Sequence, residues 1–278
     1  MRADAKIAAF GAGLVAVFAA AFGVGSVWAD EPDAPAAGYS LELADESVAP
    51  GTQVPLRFRI VDASGAAVTE YDENHEKDLH LIVVRDDLTG YQHVHPTLDA
   101  EGTSKGTWSV PLDVPNGGKH RVFADFVPAG ASGVVAEADL RVTGSDEPQP
   151  LPAPSNTATV DGYTVTLTGS PVAQSASELT LSVSRDGKPA DLQPYLGAYG
   201  HLVALRASDL HYLHVHPIGD SPGDVAFHTE FPSAGDYRLY FDFKHDDVVR
   251  TAEFTVAVPE GTGHQDGHQD GHQDGHSH

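Results

Sequence analysis

The chain has 278 residues, a hydrophobic content of 41% and a formal net charge of −24, which is enough material for two ordinary packed domains. It has no cysteine, and its single methionine is Met1, which excludes disulfides, thiolate metal sites, a cysteine nucleophile and a blue-copper centre. The negative charge repels phosphates, so we expect no nucleic-acid partner. A transition metal would have to be held by histidine, carboxylate or backbone oxygen.

Residues 1–29 have the features of a targeting segment. Arg2 and Lys6 precede an uncharged stretch that runs from Ile7 to Trp28 and is long enough to span a bilayer. Cleavage before Asp30 would make the segment a signal peptide, whereas an uncleaved segment would be a membrane anchor through residues 7–28. Either outcome predicts an extracytoplasmic protein, secreted or anchored to the cell membrane, because the positive N-terminal end stays in the cytoplasm.

Short strand-like runs separated by turns follow, and no convincing amphipathic helix appears among them. The first half, 38–144, contains LRFRIVDASGAAV, LHLIVVRDDLTGYQHVHP and KHRVFADF. The second half, 156–258, contains YTVTLTG, HLVALRASDLHYLHVHP and DYRLYFDF. A Pro-rich segment at 145–155 has linker composition. The pattern predicts an all-β protein made of two antiparallel β-sandwiches in tandem, each with its own strands and core.

The two halves contain an internal repeat. Residues 80–96 align with residues 201–217 without a gap and are identical at eight positions, including the motif Tyr-x-His-Val-His-Pro. Asp125 and Asp242 align on a later strand. A duplication therefore relates the two halves.

Three histidines of the first repeat are predicted to share one face of a hairpin. Residues i and i+2 of a strand point to the same face, so His93 and His95 point together. His80 joins them if it pairs opposite His95, whereas a one-residue slip would send it to the other face. The second repeat keeps this spacing in His201, His214 and His216.

A set of three imidazoles suits Cu(II), Zn(II) or Ni(II), with water or a carboxylate completing the coordination. Asp125 and Asp242 are candidate ligands, or partners for the far nitrogen of a ligand histidine. Alternatively, these aspartates pair with Arg85 and Arg206 in structural ion pairs, and the histidines are structural as well. His75 could extend the first set, although it aligns with Leu196.

The chain ends in a His-rich segment, 259–278, which has no apolar residues to bury and is predicted to be disordered. Repeated imidazoles on a flexible chain bind divalent metals by chelation. The candidate metal-capturing residues are His264, His268, His272, His276 and His278.

On the segments HLIVVRDDLTGYQHVHP and GHLVALRASDLHYLHVHP, the chain resembles a family of uncharacterised actinobacterial secreted or membrane-anchored proteins. More distantly it is similar to extracytoplasmic copper-handling domains of the YtkA-like and CopC-like kinds. This resemblance implies Ig-like or cupredoxin-like sandwiches. Typical CopC proteins use a mature N-terminal histidine as a copper ligand, whereas cleavage here would expose Asp30, so a site in this chain must differ from theirs.

We therefore expect a non-enzymatic, extracytoplasmic divalent metal-binding protein that buffers or carries Cu(II). Zinc and nickel are alternative metals. One alternative function is a membrane-tethered interaction module with structural histidines, and another is a three-histidine metalloenzyme. The sequence does not indicate a protein partner.

Overall fold

A computed structural model describes residues 38–215, 217–219 and 221–261 of the chain, and the regular secondary structure of these residues is almost entirely β-strand. The strands of the first half are β1 (Tyr39–Leu43), β2 (Ser47–Val48), β3 (Gly51–Asp62), β4 (Tyr71–Asp72), β5 (Leu79–Arg85), β6 (Gln92–Val94), β7 (Thr97–Leu98), β8 (Thr107–Val114), β9 (Gly118–Pro128) and β10 (Val134–Val142). Those of the second half are β11 (Thr157–Val160), β12 (Tyr163–Thr168), β13 (Ala176–Arg185), β14 (Lys188–Pro189), β15 (His201–Arg206), β16 (Tyr212–Val215), β17 (Pro217–Ile218), β18 (Asp224–Glu230), β19 (Gly235–His245) and β20 (Val248–Val258).

Helical structure is nearly absent from the described residues. It is limited to a short 3₁₀ turn at Gly102–Ser104. None of the described segments forms a helix with the length and apolar character needed to cross a bilayer. The predicted targeting segment, 1–29, lies outside the described residues.

Each half folds into two sheets. In the first half, one sheet has the order β1-β3-β8-β7, and the other has the order β2-β10-β9-β5-β6, with β4 paired to the end of β9. In the second half, the orders are β11-β12-β13-β18-β17, with β14 on β13, and β16-β15-β19-β20. Neighbouring strands are antiparallel apart from β2 and β10, which run parallel. The predicted all-β class and tandem sandwiches are confirmed.

Each half has its own hydrophobic core between its two sheets. In β3, Leu56, Phe58 and Ile60 are buried while the intervening arginines are exposed, because alternate side chains of a strand face opposite sides of the sheet. Phe58 stacks on the buried Trp108 of β8. The second half builds an equivalent core that is rich in buried phenylalanine and leucine from β12, β13, β15, β18, β19 and β20.

A third hydrophobic cluster joins the halves, and we call it the interdomain cluster. Its buried members are Ile82, Val84, Leu88, Phe123, Val203, Leu205, Leu210 and Tyr240. It packs the outer face of β5 and β9 against the outer face of β15 and β19. All seven residues of β5 are buried, because one face of the strand contacts its own core and the other face contacts the second domain.

The Pro-rich segment between the halves also contacts the first domain. The backbone N–H of Gln149 donates to Asp87 Oδ2 at 2.8 Å, and Asp146 Oδ1 lies 3.0 Å from Arg85 Nη2. Leu151 packs against the interdomain cluster. The connection therefore lies along the interface between the two domains.

We expect the two domains to stay together after the connection is cut. A protease site inserted between Ala153 and Pro154, both exposed, should yield two fragments that co-elute in size-exclusion chromatography without denaturant, since the interdomain cluster remains buried. The matched variant Val84→Asp, which buries a carboxylate in that cluster, should let the nicked fragments elute separately. Separation of the nicked unmodified protein would show that the cluster does not hold the domains together.

Candidate metal centre

The hairpin of β5 and β6 has the register that brings three histidines to one face. Ile82 pairs with His93 in the ladder, and the same register continued by two residues on each strand places His80 opposite His95. His80 therefore shares the face of β5 that carries Ile82 and points toward the second domain. The three histidines lie where the apolar interdomain cluster ends.

The ring nitrogens of these residues converge. His80 Nδ1 lies 3.0 Å from His93 Nε2 and 3.1 Å from His95 Nε2. One nitrogen from each residue lies within 4.8 Å of the other two. Metal–nitrogen bonds of about 2.0–2.1 Å imply nitrogen–nitrogen distances of roughly 2.9 Å at right angles and roughly 3.3 Å in a tetrahedron. The observed spacing therefore fits one metal ion.

The outward nitrogens of two of these rings are bonded to oxygen atoms that accept hydrogen bonds. His93 Nδ1 donates to Asp242 Oδ2 at 2.8 Å, and His80 Nε2 donates to the carbonyl of Asn74 at 3.0 Å. We assign the tautomers from these partners: each neutral ring then keeps its lone pair on the nitrogen that faces the other ring. Two lone pairs at 3.0 Å repel each other unless a proton or a metal ion lies between them.

The carboxylate that orients His93 is itself buried. The side chains of His93 and Asp242 are 6% and 4% exposed. Thr251 Oγ1 donates to the other carboxylate oxygen, Oδ1, at 2.5 Å. Among the described residues, no lysine or arginine pairs with Asp242, whose side-chain partners are His93 and Thr251.

Asp125 occupies the equivalent position in the first domain. It pairs opposite His80 in the sheet, as Asp242 pairs opposite His201. Asp125 is buried, and its Oδ2 accepts from the hydroxyl of Tyr212 at 3.3 Å. Both carboxylates thus have partners from the other domain.

The arginine alternative for these aspartates is wrong. Arg85 pairs with Asp87 and Asp146, and Arg206 pairs with Asp209. Arg85 and Arg206 lie at the opposite ends of β5 and β15 from His80 and His201. The separation of five residues is odd, so the arginine side chains also point to the other face of the strand. Among the described residues, the ion pairs of Arg85 and Arg206 are therefore made with carboxylates other than Asp125 and Asp242.

The second domain repeats the local arrangement at His201. His201 Nε2 donates to the carbonyl of Tyr195 at 2.8 Å, six residues earlier, as His80 Nε2 does to Asn74. His214 lies in β16, where its backbone pairs with Val203. His216 and the predicted metal-capturing histidines of the tail lie outside the described residues.

His75 lies closer to the site than the alignment of the two halves indicates. His75 and Glu76 both have positive φ, 48° and 61°, in a tight turn whose counterpart in the second domain contains Gly197. The turn brings the His75 ring to 5.3 Å from the His201 ring and 6.2 Å from the His80 ring. The left-handed conformation at two non-glycine residues is a feature of the structure, and such conformations cluster at functional sites.

Burial changes the protonation equilibria of two groups at the site. It lowers the pKa of His95 to about 2, with nearby His93 and His80 adding to the shift. It raises the pKa of Tyr195, whose ring lies 6.3 Å from the His95 ring, to about 12. His95 is therefore neutral at physiological pH, which is the form that binds metal.

The family described as "Domain of unknown function (DUF8832)" matches two segments of the chain, 34–144 and 158–260. The chain belongs to this family. The two matches coincide with the two sandwiches, so the protein is a tandem repeat of this domain. His75, His80, His93 and His95 lie in the first copy, and His201, His214 and His216 lie in the second.

Solved structures show a remote similarity. A biofilm-associated protein BSP domain is 15% identical, with 80% of this chain and 30% of that chain covered and a TM-score of 0.23. The Yersinia pseudotuberculosis adhesin InvE is 12% identical, with 79% and 59% covered and a TM-score of 0.23. Invasin, a bacterial integrin-binding protein, is 12% identical, with 78% and 39% covered and a TM-score of 0.23. The chain thus spans less than two thirds of each of these proteins. No curated protein sequence matches it.

The depressed pKa of His95 predicts acid sensitivity of the metal-free protein. The unfolded chain takes up a proton at His95 near pH 6.5, whereas the folded protein does not until about pH 2, so stability is present above pH 6.5 and is lost as the pH falls. We expect the free energy of unfolding to decrease by up to about 1.4 kcal/mol per pH unit below 6.5 from this group. Urea denaturation at pH 7, 6 and 5 measures it.

The variant His95→Asn should show a shallower decrease, because it removes the titrating group. His228→Asn changes an exposed histidine of β18 and serves as the control, with the slope of the unmodified protein. An unchanged slope in His95→Asn would contradict the assignment.

Proposed function

We propose that this protein is a non-enzymatic, extracytoplasmic divalent metal-binding protein that buffers or carries Cu(II). One observation carries the proposal: the convergence of His80 Nδ1, His93 Nε2 and His95 Nε2 at distances of 3.0 and 3.1 Å. The hydrogen bonds on the far side of His80 and His93 direct lone pairs inward. Ligand histidines in metal sites are typically oriented in this way, by a carboxylate or a backbone carbonyl.

The charge balance of the site supports a cation. Asp242 is a buried carboxylate, and a buried charge without a counter-charge is costly. Its partner is His93, whose opposite nitrogen points at His80. A divalent ion on that nitrogen would supply the missing positive charge through the imidazole ring.

The ligand set supports copper as the metal, with zinc and nickel as alternatives. The site offers imidazole nitrogen and no sulfur, which suits all three ions, and Cu(II) has the highest intrinsic affinity among them. The distant resemblance to YtkA-like and CopC-like copper-handling domains points the same way. His95 is only partly buried, which favours a buffer or carrier because the ion can reach its ligands from solution.

The repeat extends the proposal to a second site. His201 has the backbone partner expected of a ligand in the first site's arrangement, and His214 and His216 follow at the spacing of His93 and His95. In the tail, His264, His268, His272, His276 and His278 would capture metal by chelation and raise its local concentration.

The proposed location is outside the cytoplasm, in an actinobacterial cell or its medium. It rests on Arg2, Lys6 and the uncharged residues 7–28. The proposed partner is the metal ion, with a membrane contact through residues 7–28 if that segment is retained. No nucleic acid is expected at a net charge of −24.

The location can be tested with a C-terminal epitope. Protease added to intact spheroplasts should remove the epitope, because residues 30–278 would lie outside the membrane. A cytoplasmic marker protein that survives the treatment is the control for lysis. Full protection of the epitope would contradict the proposed location.

The sites can be tested by titration of a chain that ends at Glu260, which removes the tail. We expect Cu(II) binding to saturate near two equivalents. The double variant His93→Asn/His95→Asn should lose one equivalent, because it removes two ligands of the first site. The matched control is His211→Asn/His228→Asn, which changes two exposed histidines and should keep both equivalents.

Electron paramagnetic resonance should show nitrogen hyperfine coupling from the bound Cu(II), and parallel titrations with Zn(II) and Ni(II) would rank the metals. Absence of binding at micromolar metal in the chain without its tail would mean that the repeat histidines are structural. A tail that accounts for all bound metal would lead to the same conclusion.

A further inference from the structure

We infer that the two domains share the first metal centre: Asp242 of the second domain is the positioning residue for His93 of the first, so that metal binding and domain docking stabilise each other. This inference rests on the proposed function. The ring nitrogen of His93 that does not face the metal site is bonded to a residue of the second domain. Metal affinity at the site therefore depends on how the two domains are arranged.

The contact that carries the inference crosses the interface. His93 Nδ1 and Asp242 Oδ2 are 2.8 Å apart although the residues are separated by 149 positions. Asp242 is fixed within the second domain, since it pairs with Thr251 in the ladder of β19 and β20 and accepts its hydroxyl. The carboxylate therefore stays with the second domain if the domains move apart.

The carboxylate in the first domain also contacts the second domain. Asp125 lies opposite His80 in the same sheet, and its Oδ2 accepts from Tyr212 of the second domain. The two domains thus exchange polar contacts in both directions at the edge of the interdomain cluster. Separating them would leave His93 without its acceptor and free its ring to rotate.

Loss of such a partner typically weakens metal affinity by about 10- to 100-fold. Coupling between two equilibria is reciprocal. If docking raises metal affinity by this factor, bound metal must favour the docked arrangement by the same factor. Bound metal would then stabilise the contact between the domains through the hydrogen bond of His93 to Asp242, although all three ligands belong to the first domain.

A substitution in the interdomain cluster can separate the domains without changing the ligand histidines. Val84 lies four residues from His80 on the same face of β5, roughly 13 Å along the strand. It is fully buried against the second domain. A charge at this position should separate the domains while leaving the β5–β6 hairpin in place.

The first experiment measures Zn(II) affinity at the site in the full-length protein by heteronuclear NMR with a competing chelator. The amide signals of Val94 and His95 report this site alone, so metal bound by the tail does not interfere. We expect Asp242→Asn and Asp242→Ala to weaken Zn(II) binding by 10- to 100-fold. Asp224→Asn, an exposed carboxylate of β18, is the matched control and should leave affinity unchanged.

The second experiment uses Val84→Asp. Small-angle scattering should show a larger radius of gyration, and Zn(II) affinity should fall by the same factor as in the Asp242 variants. Val249→Asp, which adds a charge at an exposed position of β20, is the control. Separated domains with unchanged affinity would overturn the inference.

If Val84→Asp does not fold, hydrogen exchange on the unmodified protein replaces it. Zn(II) should slow exchange of the β15 amides, which lie at the interface, and Asp242→Asn should reduce this protection. Equal exchange with and without Zn(II) would overturn the inference. The two proposals fail separately: unmodified protein that binds no metal contradicts the proposed function, whereas binding that Asp242→Asn does not weaken contradicts only the coupling.

Discussion

The packing of β5 and β9 against β15 and β19 is the constraint on which the rest of the structure depends. It buries β5 on both faces, so this strand has hydrophobic residues on both faces, whereas β3 in the outer sheet alternates between buried and exposed residues. A sheet buried on both sides has no solvent to satisfy its polar side chains. His80, His201, Asp125 and Asp242 are the polar residues of these strands near one end, and they meet each other there.

The histidines and carboxylates of the site lie next to the apolar interdomain cluster, which limits their contact with water. Buried carboxylates and imidazoles interact more strongly where water is scarce, and each unpaired group there is costly. His93 is bonded on one side to Asp242 and faces His80 on the other. A group so constrained has few alternative conformations, which reduces the entropy that a bound ion would otherwise have to overcome.

The sequence predicts much of this arrangement because the rules involved are local. The two-residue period of a strand placed His93 and His95 together, and one register choice added His80. Contacts between domains obey no such period, so the pairing of Asp242 with His93 could not be read from the chain. The apolar run 81–84 within LHLIVVR is typical of a strand that is buried on both faces. Arg85 follows this run at the end of β5 and pairs with Asp87 and Asp146.

The position of His75 shows a second limit of reasoning from the sequence. Alignment of the halves placed it opposite Leu196, which made it look incidental to the first set. Its ring nevertheless lies between His80 and His201, because the turn directs it across the interface. Aligned positions of two repeats can differ because their neighbours differ. The neighbours of His75 include His201 of the second domain, which an alignment of the two halves does not show.

The interdomain cluster is built from equivalent positions in the two halves: Ile82 and Val203, and Val84 and Leu205, occupy matched places in the repeat and belong to the same cluster. A surface that packs against its own duplicate has the self-complementary form of an isologous contact. A single copy of this domain would carry the whole of that surface and would be expected to associate as a twofold-symmetric homodimer with two identical sites. Joining two copies in one chain fixes their stoichiometry and allows the two copies to differ, as His75 in the first turn and Leu196 in the second illustrate.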